Sequence, residues 1–216
     1  MNSNKLTYLA DPFLPDSIVA AFKTFNTSKS GHAIHSAEEE SGSRLLNSMI
    51  TEKLKSRSQE ITTLKYEKPS ATVDGRPLSV SFSHTKEAIC AVFSDVWVVG
   101  IDMESSERVV SEGLSSRMKH PKELLKFYKD YPIIQIWTMK EAALKAIGTG
   151  LRKPMNSVNL KAVHNNLFEV EFFNGIRANI CSFQVHDKWI SVCYISTELS
   201  ESFLAKSYVP IHSARD

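Results

Sequence analysis

Two carboxylates one residue apart close an apolar run, Val98-Val99-Gly100-Ile101-Asp102-Met103-Glu104. A third, Glu141, stands four residues before Lys145 in WTMKEAALKAIGTGL. On an extended strand, alternation places Asp102 and Glu104 on one side, roughly 6–7 Å apart and within reach of one cation. Such a pair is costly in apolar surroundings unless a counter-charge relieves it. Glu141 would complete a set of hard oxygen donors of the kind magnesium takes, its other positions going to water or phosphate. Asp102 could equally cap a helix beginning near Ser105, because Asp is a favoured cap. Glu141 and Lys145 share a helix face, and taken alone they form an ordinary solvent-side ion pair worth roughly a few tenths of a kcal/mol.

A second cluster lies upstream. Gly75-Arg76-Pro77 is followed by Ser81-Phe82-Ser83-His84-Thr85 at the end of a short strand. It offers hydroxyl, imidazole and backbone donors, and Arg76 and Arg44 add planar cationic forks suited to phosphate. Ser83 and His84 are adjacent and point to opposite faces of a strand, so they do not form a hydrolase triad.

These groups have to be positioned by a chain of 216 residues, enough for one or two domains. Hydrophobic residues at 42% and charged residues at 23% are ordinary for a globular protein. A net charge of +2 is too small for a dedicated nucleic-acid binder, so any anion site must be built locally. Cys90, Cys181 and Cys193 sit in apolar runs without metal-ligand spacing and read as buried free thiols of a reducing compartment. No secretory leader or membrane span is visible, which points to the cytoplasm.

The patterning predicts a short helix over 16–26, a polar loop after it, and a helix over about 43–57. Strands are expected at 60–67 and 78–82 around the turn Val73-Asp74-Gly75-Arg76-Pro77. The runs AICAVF and VWVVGID read as a hairpin joined at Ser94-Asp95, covered on both faces. Helices follow from Glu104 to about Met118, after Pro121, and over about 133–147. Strands return at 167–173, 176–185 and 189–196, with Asn174-Gly175 as a hairpin turn, and the residues after 198 read as a tail. The class is α+β with two similar halves, 1–100 and 101–200, and a tail over 201–216.

The ordered set GRP-x4-FSHT, VGIDME, RMKHPKE and WTMKEAALKAIGTGL closely resembles the 4′-phosphopantetheinyl transferases, best the larger, two-halved Sfp-type class. The likeness covers roughly residues 40–160, and the first forty residues match nothing assignable. It implies two pseudo-symmetric α/β halves with coenzyme A in the cleft between them. By this resemblance Asp102, Glu104 and Glu141 are the magnesium ligands and Lys145 contacts the pyrophosphate. Ser83 and His84 lie near the 3′-phosphate, Arg44 binds phosphate, and Arg76, standing where the family has lysine or arginine before proline, is expected to serve the 3′-phosphate with His84. Glu123 in RMKHPKE matches a glutamate proposed as general base. Two departures stand out: Thr85 replaces the commoner serine, and the interval from Asp102 to Glu141 is short for the class, implying a trimmed carrier-docking surface.

The implied reaction is magnesium-dependent transfer of 4′-phosphopantetheine from coenzyme A to a serine of an acyl or peptidyl carrier protein, by a monomer that needs neither nucleic acid nor membrane. Adenosine 3′,5′-bisphosphate leaves, and Glu123 or a metal-activated water takes the serine proton. Residues 114–131, with Arg117, Lys119, Lys122, Lys126 and Lys129 around Leu125, Phe127 and Tyr128, are expected to meet the carrier. Two rival readings are a magnesium-dependent nuclease, against which the E-x3-K spacing and low charge speak, and a carrier-binding module without catalysis.

Overall fold

A computed structural model describes residues 6–24, 34–56, 59–62, 68–173 and 175–197. Two antiparallel sheets carry the chain. The first holds β1 (Thr7–Tyr8), β2 (Val19–Thr24), β3 (Gln59–Thr62), β4 (Ser70–Val73), β5 (Arg76–His84) and β6 (Ala88–Ser94), in the order β1-β2-β6-β5-β4-β3. The second holds β7 (Trp97–Ser105), β8 (Val158–Ala162), β9 (Leu167–Phe172), β10 (Arg177–Val185) and β11 (Lys188–Ser196), in the order β7-β11-β10-β9-β8. Among the described residues the helices are α1 (Ile34–Leu54), α2 (Glu112–Met118), α3 (Phe127–Asp130), α4 (Ile133–Ala146) and two short 3-10 turns. The class is α+β with two halves, as expected.

Alternation along the strands explains the layering. On β6, Ile89, Ala91 and Phe93 face Leu45, Leu46, Met49 and Ile50 of α1. Ala88, Cys90 and Val92 face Ile101, Met103, Ile190 and Val192 of the second sheet. The far side of that sheet, with Val158, Val170, Ile180 and Cys193, packs on Ile136, Met139 and Ala143 of α4. The order is therefore α1, first sheet, second sheet, α4, each half being a sheet with one long helix. At the closest crossing, an added Cβ on Gly100 would lie 2.2 Å from the Ala142 carbonyl oxygen, so β7 can approach α4 this closely only with glycine.

Several local expectations are overturned. Residues 19–24 form β2 rather than a helix, because VAAF fills the place between β1 and β6 with both faces buried. The runs 88–94 and 97–105 are no hairpin: β6 pairs with β2 and β5, whereas β7 pairs with β11 in the other sheet. Side chains supply the bonding between β5 and β7. Ser79 Oγ accepts from the Val99 N–H at 2.9 Å and Ser81 Oγ from the Ile101 N–H at 3.2 Å. Strand β7 continues to Ser105 where a helix from Glu104 was expected, which also removes the helix-cap reading of Asp102, and α2 is confined to 112–118. Helix α1 begins at Ile34, inside the expected loop. β4 and β8 had not been foreseen.

The turn between β4 and β5 is as read: Asp74 and Gly75 both take positive φ, 49° and 77°, and Val73 pairs with Arg76. The expected tail, Asn174 and much of the strand expected at 60–67 lie outside the described residues. Part of the unassigned N-terminal forty closes the interface: Tyr194 donates to the Phe13 carbonyl at 2.8 Å and Trp97 Nε1 to Ser17 Oγ at 3.0 Å. Among the described residues, no helix is long and apolar enough to cross a membrane. Cys90, Cys181 and Cys193 are buried free thiols.

Candidate active site

Strand β7 delivers Asp102 to the seam between the sheets, opposite the end of β5. Its Oδ1 accepts from Ser83 Oγ at 2.7 Å and from Lys145 Nζ at 2.7 Å, and Lys145 also donates to Ser83 Oγ at 2.9 Å. Asp102 Oδ2 is buried without a hydrogen-bond partner. An orphaned carboxylate oxygen is expensive unless something else meets it.

Lys145 is carried in the last turn of α4, where the chain then leaves the helix through a glycine cap. Gly148 has φ 72°, and Thr149 donates its N–H to the Leu144 carbonyl, the bond that closes a Schellman-type end. Glu141 lies one turn earlier on α4 and is 7% exposed. Burial, together with the nearby charge of Asp102, pushes its carboxyl up to about 7. Glu104 is raised for the same two reasons, although Arg108 pairs with it. Burial alone would lower Lys145, but Asp102 and Glu141 outweigh that effect and hold its pKa above the usual lysine range. Lys145 thus pairs with Asp102, not with Glu141 as helix spacing had suggested.

A cleft of about 630 Å³ opens beside these groups. One wall comes from the first half through Lys68, Pro69, Ser81 and Phe82, the other from Glu141, Lys145, Gly148, Thr149, Gly150 and Arg152. Lys68, Lys145 and Arg152 line the cleft with one carboxylate, Glu141, and Lys145 is already matched by Asp102 behind it, so the walls carry a modest cationic excess that an anion can meet. Lys68 was missed from the sequence, where a lysine before a proline at a strand start was its only signal. Its Nζ donates to Ser79 Oγ at 3.2 Å, the Val99 carbonyl at 2.9 Å and the Ala146 carbonyl at 2.8 Å, which ties both sheets to the end of α4. Burial lowers it to about 8.

Other expected residues fall further away. His84 ends β5, half-buried, and Arg44 stands exposed on α1; neither lines the cleft. Arg76 opens β5 at the opposite end from His84, roughly 25 Å along the strand, and is not brought to the cleft. Glu123 has no exposed side-chain surface and is likewise absent from the cleft walls.

Among the described residues, no three His, Cys, Asp or Glu side chains are posed together as a metal-holding group. Lys145 and Arg108 sit against Asp102 and Glu104 instead. The donor chemistry nevertheless fits a hard cation: Asp102 Oδ2 lacks a partner, and Glu141 is held against its neighbours' charge.

Residues 98–202 match the family model described as the 4′-phosphopantetheinyl transferase superfamily. No curated protein matches the chain.

Proposed function

We propose, from the match of residues 98–202 to the 4′-phosphopantetheinyl transferase superfamily, that the chain transfers phosphopantetheine, by the following reaction and residues. A serine hydroxyl of an acyl or peptidyl carrier protein attacks the β-phosphorus of coenzyme A and gives up its proton to water. The bond to the adenosine 5′-phosphate breaks, and adenosine 3′,5′-bisphosphate leaves. The observation that carries this reading is the buried, unpartnered Oδ2 of Asp102, held against Lys145, which with Glu141 lines the cleft.

Asp102, Glu104 and Glu141 would hold magnesium, which when bound neutralises pyrophosphate oxygens and makes the leaving group better. Lys145 keeps the pyrophosphate against α4 once it turns from Asp102. Lys68 fixes the opposite wall, and the narrow cleft orients the phosphorus for in-line attack. His84 and Arg44 serve the 3′-phosphate from the first half, residues 1–100, while residues 101–200 carry the carboxylates. Ser83 supports this end of β5 through Asp102.

The carrier docks on 114–131. Phe127 is buried and Tyr128 half-buried, so the apolar centre is Leu124 and Leu125, 74% and 71% exposed, within the lysine and arginine rim. An acidic carrier helix complements such a surface. The enzyme works as a cytoplasmic monomer.

Chromatography of the products tests the reaction. Adenosine 3′,5′-bisphosphate should appear only when an apo carrier is present with coenzyme A and magnesium. Release of the nucleotide without carrier would replace transfer by simple phosphodiester hydrolysis.

A further inference from the structure

Glu123 and Lys140 form an ion pair with Oε1 and Nζ 2.7 Å apart and no exposed side-chain surface on either residue. Four donors converge on the carboxylate. Oε1 accepts from Lys140 Nζ and from the Leu160 N–H at 2.8 Å, and Oε2 from the His120 N–H at 2.9 Å and the Tyr128 hydroxyl. Lys140 also donates to the Val158 carbonyl at 2.7 Å.

Val158 and Leu160 lie on β8, the edge strand of the second sheet. The carboxylate takes an edge N–H and the ammonium an edge C=O, so the ion pair closes that edge as a neighbouring strand would. The same contacts fasten the segment 120–128, a loop that runs into the first turn of α3, to α4. A proton acceptor, by contrast, must turn a lone pair to the substrate hydroxyl. Both Glu123 oxygens already take two donors each, and the side chain is buried and not among those lining the cleft.

We propose that Glu123 is a positioning residue: with Lys140 it locks the segment 120–128, and the exposed Leu124 and Leu125 on it, onto α4 and β8, and it accepts no proton in the reaction. What the loop meets rests on the phosphopantetheinyl-transfer reading; the lock itself does not. A held loop presents its leucines without the ordering cost that a mobile one incurs on binding.

Glu123→Met, Lys140→Met and the double variant test this. Breaking half of a buried pair strands a charge, whereas replacing both members by apolar residues is often close to neutral. Each single variant should lose hydrogen-exchange protection over 120–128 and thermal midpoint. Each should raise KM for the carrier about tenfold while leaving KM for coenzyme A in place. The double variant should recover protection, and its kcat should lie within about tenfold of wild type, because loss of a general base typically costs about 10²–10⁴. A double variant that regains protection but falls by that larger factor overturns the proposal. So does a double variant no better protected than the singles. Exchange and melting need no substrate, so a wild-type enzyme that transfers nothing refutes the transfer reading and leaves the lock decided by its own data.

Discussion

Ser83 Oγ lies 2.7 Å from Asp102 Oδ1, so the last buried hydroxyl of β5 holds the first carboxylate of the other sheet. Alternation along β5 sets this up. Ser79, Ser81 and Ser83 point to one side, and the first two satisfy backbone N–H groups of β7 where no strand partner does. The seam between the halves and the candidate metal carboxylate are thus one construction.

Ser83→Ala should therefore cost stability as well as activity. A buried hydrogen bond to a charged group contributes about 1.5–3 kcal/mol, more than a typical neutral one. Urea denaturation should show a lower midpoint with an unchanged slope. An unmoved midpoint would mean that Asp102 does not depend on this hydroxyl.

Glu141 should make metal-free stability depend on pH. Its carboxyl is raised from 4.5 to about 7 in the folded protein. The unfolded chain ionises first, so stability is lost as pH rises between these values, on the order of 3 kcal/mol once both states are ionised. Glu141→Gln lacks that loss. In chelator, the variant should match wild type near pH 4 and exceed it near pH 8, as read by denaturant midpoints; an equal gap at both would remove Glu141 as the titrating group.

Gly100 and Gly113 separate close packing from glycine content. A Cβ on Gly100 would meet the α4 backbone at 2.2 Å and 2.4 Å, whereas one on Gly113 would meet nothing within 4 Å. Gly100→Ala should destabilise by about 1–3 kcal/mol or more and displace the helix that carries Glu141 and Lys145. Gly113→Ala, in exposed α2, should be neutral or stabilising by up to about 1 kcal/mol. Calorimetric midpoints compare the two directly, and similar shifts for both would contradict the packing account.

His84 and Arg76 occupy opposite ends of β5, and only His84 is near the seam. His84→Ala should raise KM for coenzyme A about tenfold or more, and much less for the 3′-dephospho form, as loss of one charge-assisted contact does. Arg76→Ala should leave both unchanged. A KM rise for Arg76→Ala selective for coenzyme A would reverse the assignment.

How far the sequence reached depended on whether local pattern or tertiary contact decides the element. Helix α4 was legible because its apolar residues keep helical spacing up to Gly148, and the turn at Asp74-Gly75 because its conformation demands such residues. β2 was misread because VAAF carries no period that distinguishes a strand from a short helix. The AICAVF and VWVVGID runs looked like paired strands, yet serine hydroxyls rather than backbone groups join β7 to β5. Asp102, Glu141 and Lys145 were grouped from their motifs and do lie together in the fold, but Lys68 had to be found through its three contacts across the seam. The apolar residues expected to face a carrier changed for a similar reason. Phe127 packs near Tyr131 and Phe168, which leaves Leu124 and Leu125 outside.

The cleft lined by Glu141 and Lys145, with Asp102 behind Lys145, moves phosphopantetheine to a carrier serine in the presence of magnesium on this reading. Intact-mass spectrometry of apo carriers of the fatty-acid, polyketide and peptide-synthetase kinds, incubated with coenzyme A and magnesium, tests it most directly. Wild type should add one phosphopantetheine to at least one carrier, and chelator should abolish the gain. Lys145→Met and Asp102→Asn should slow it on the order of a hundredfold or more, the scale of losing a contact to developing charge. No mass gain on any carrier with wild type, or undiminished transfer by both variants, would contradict the account.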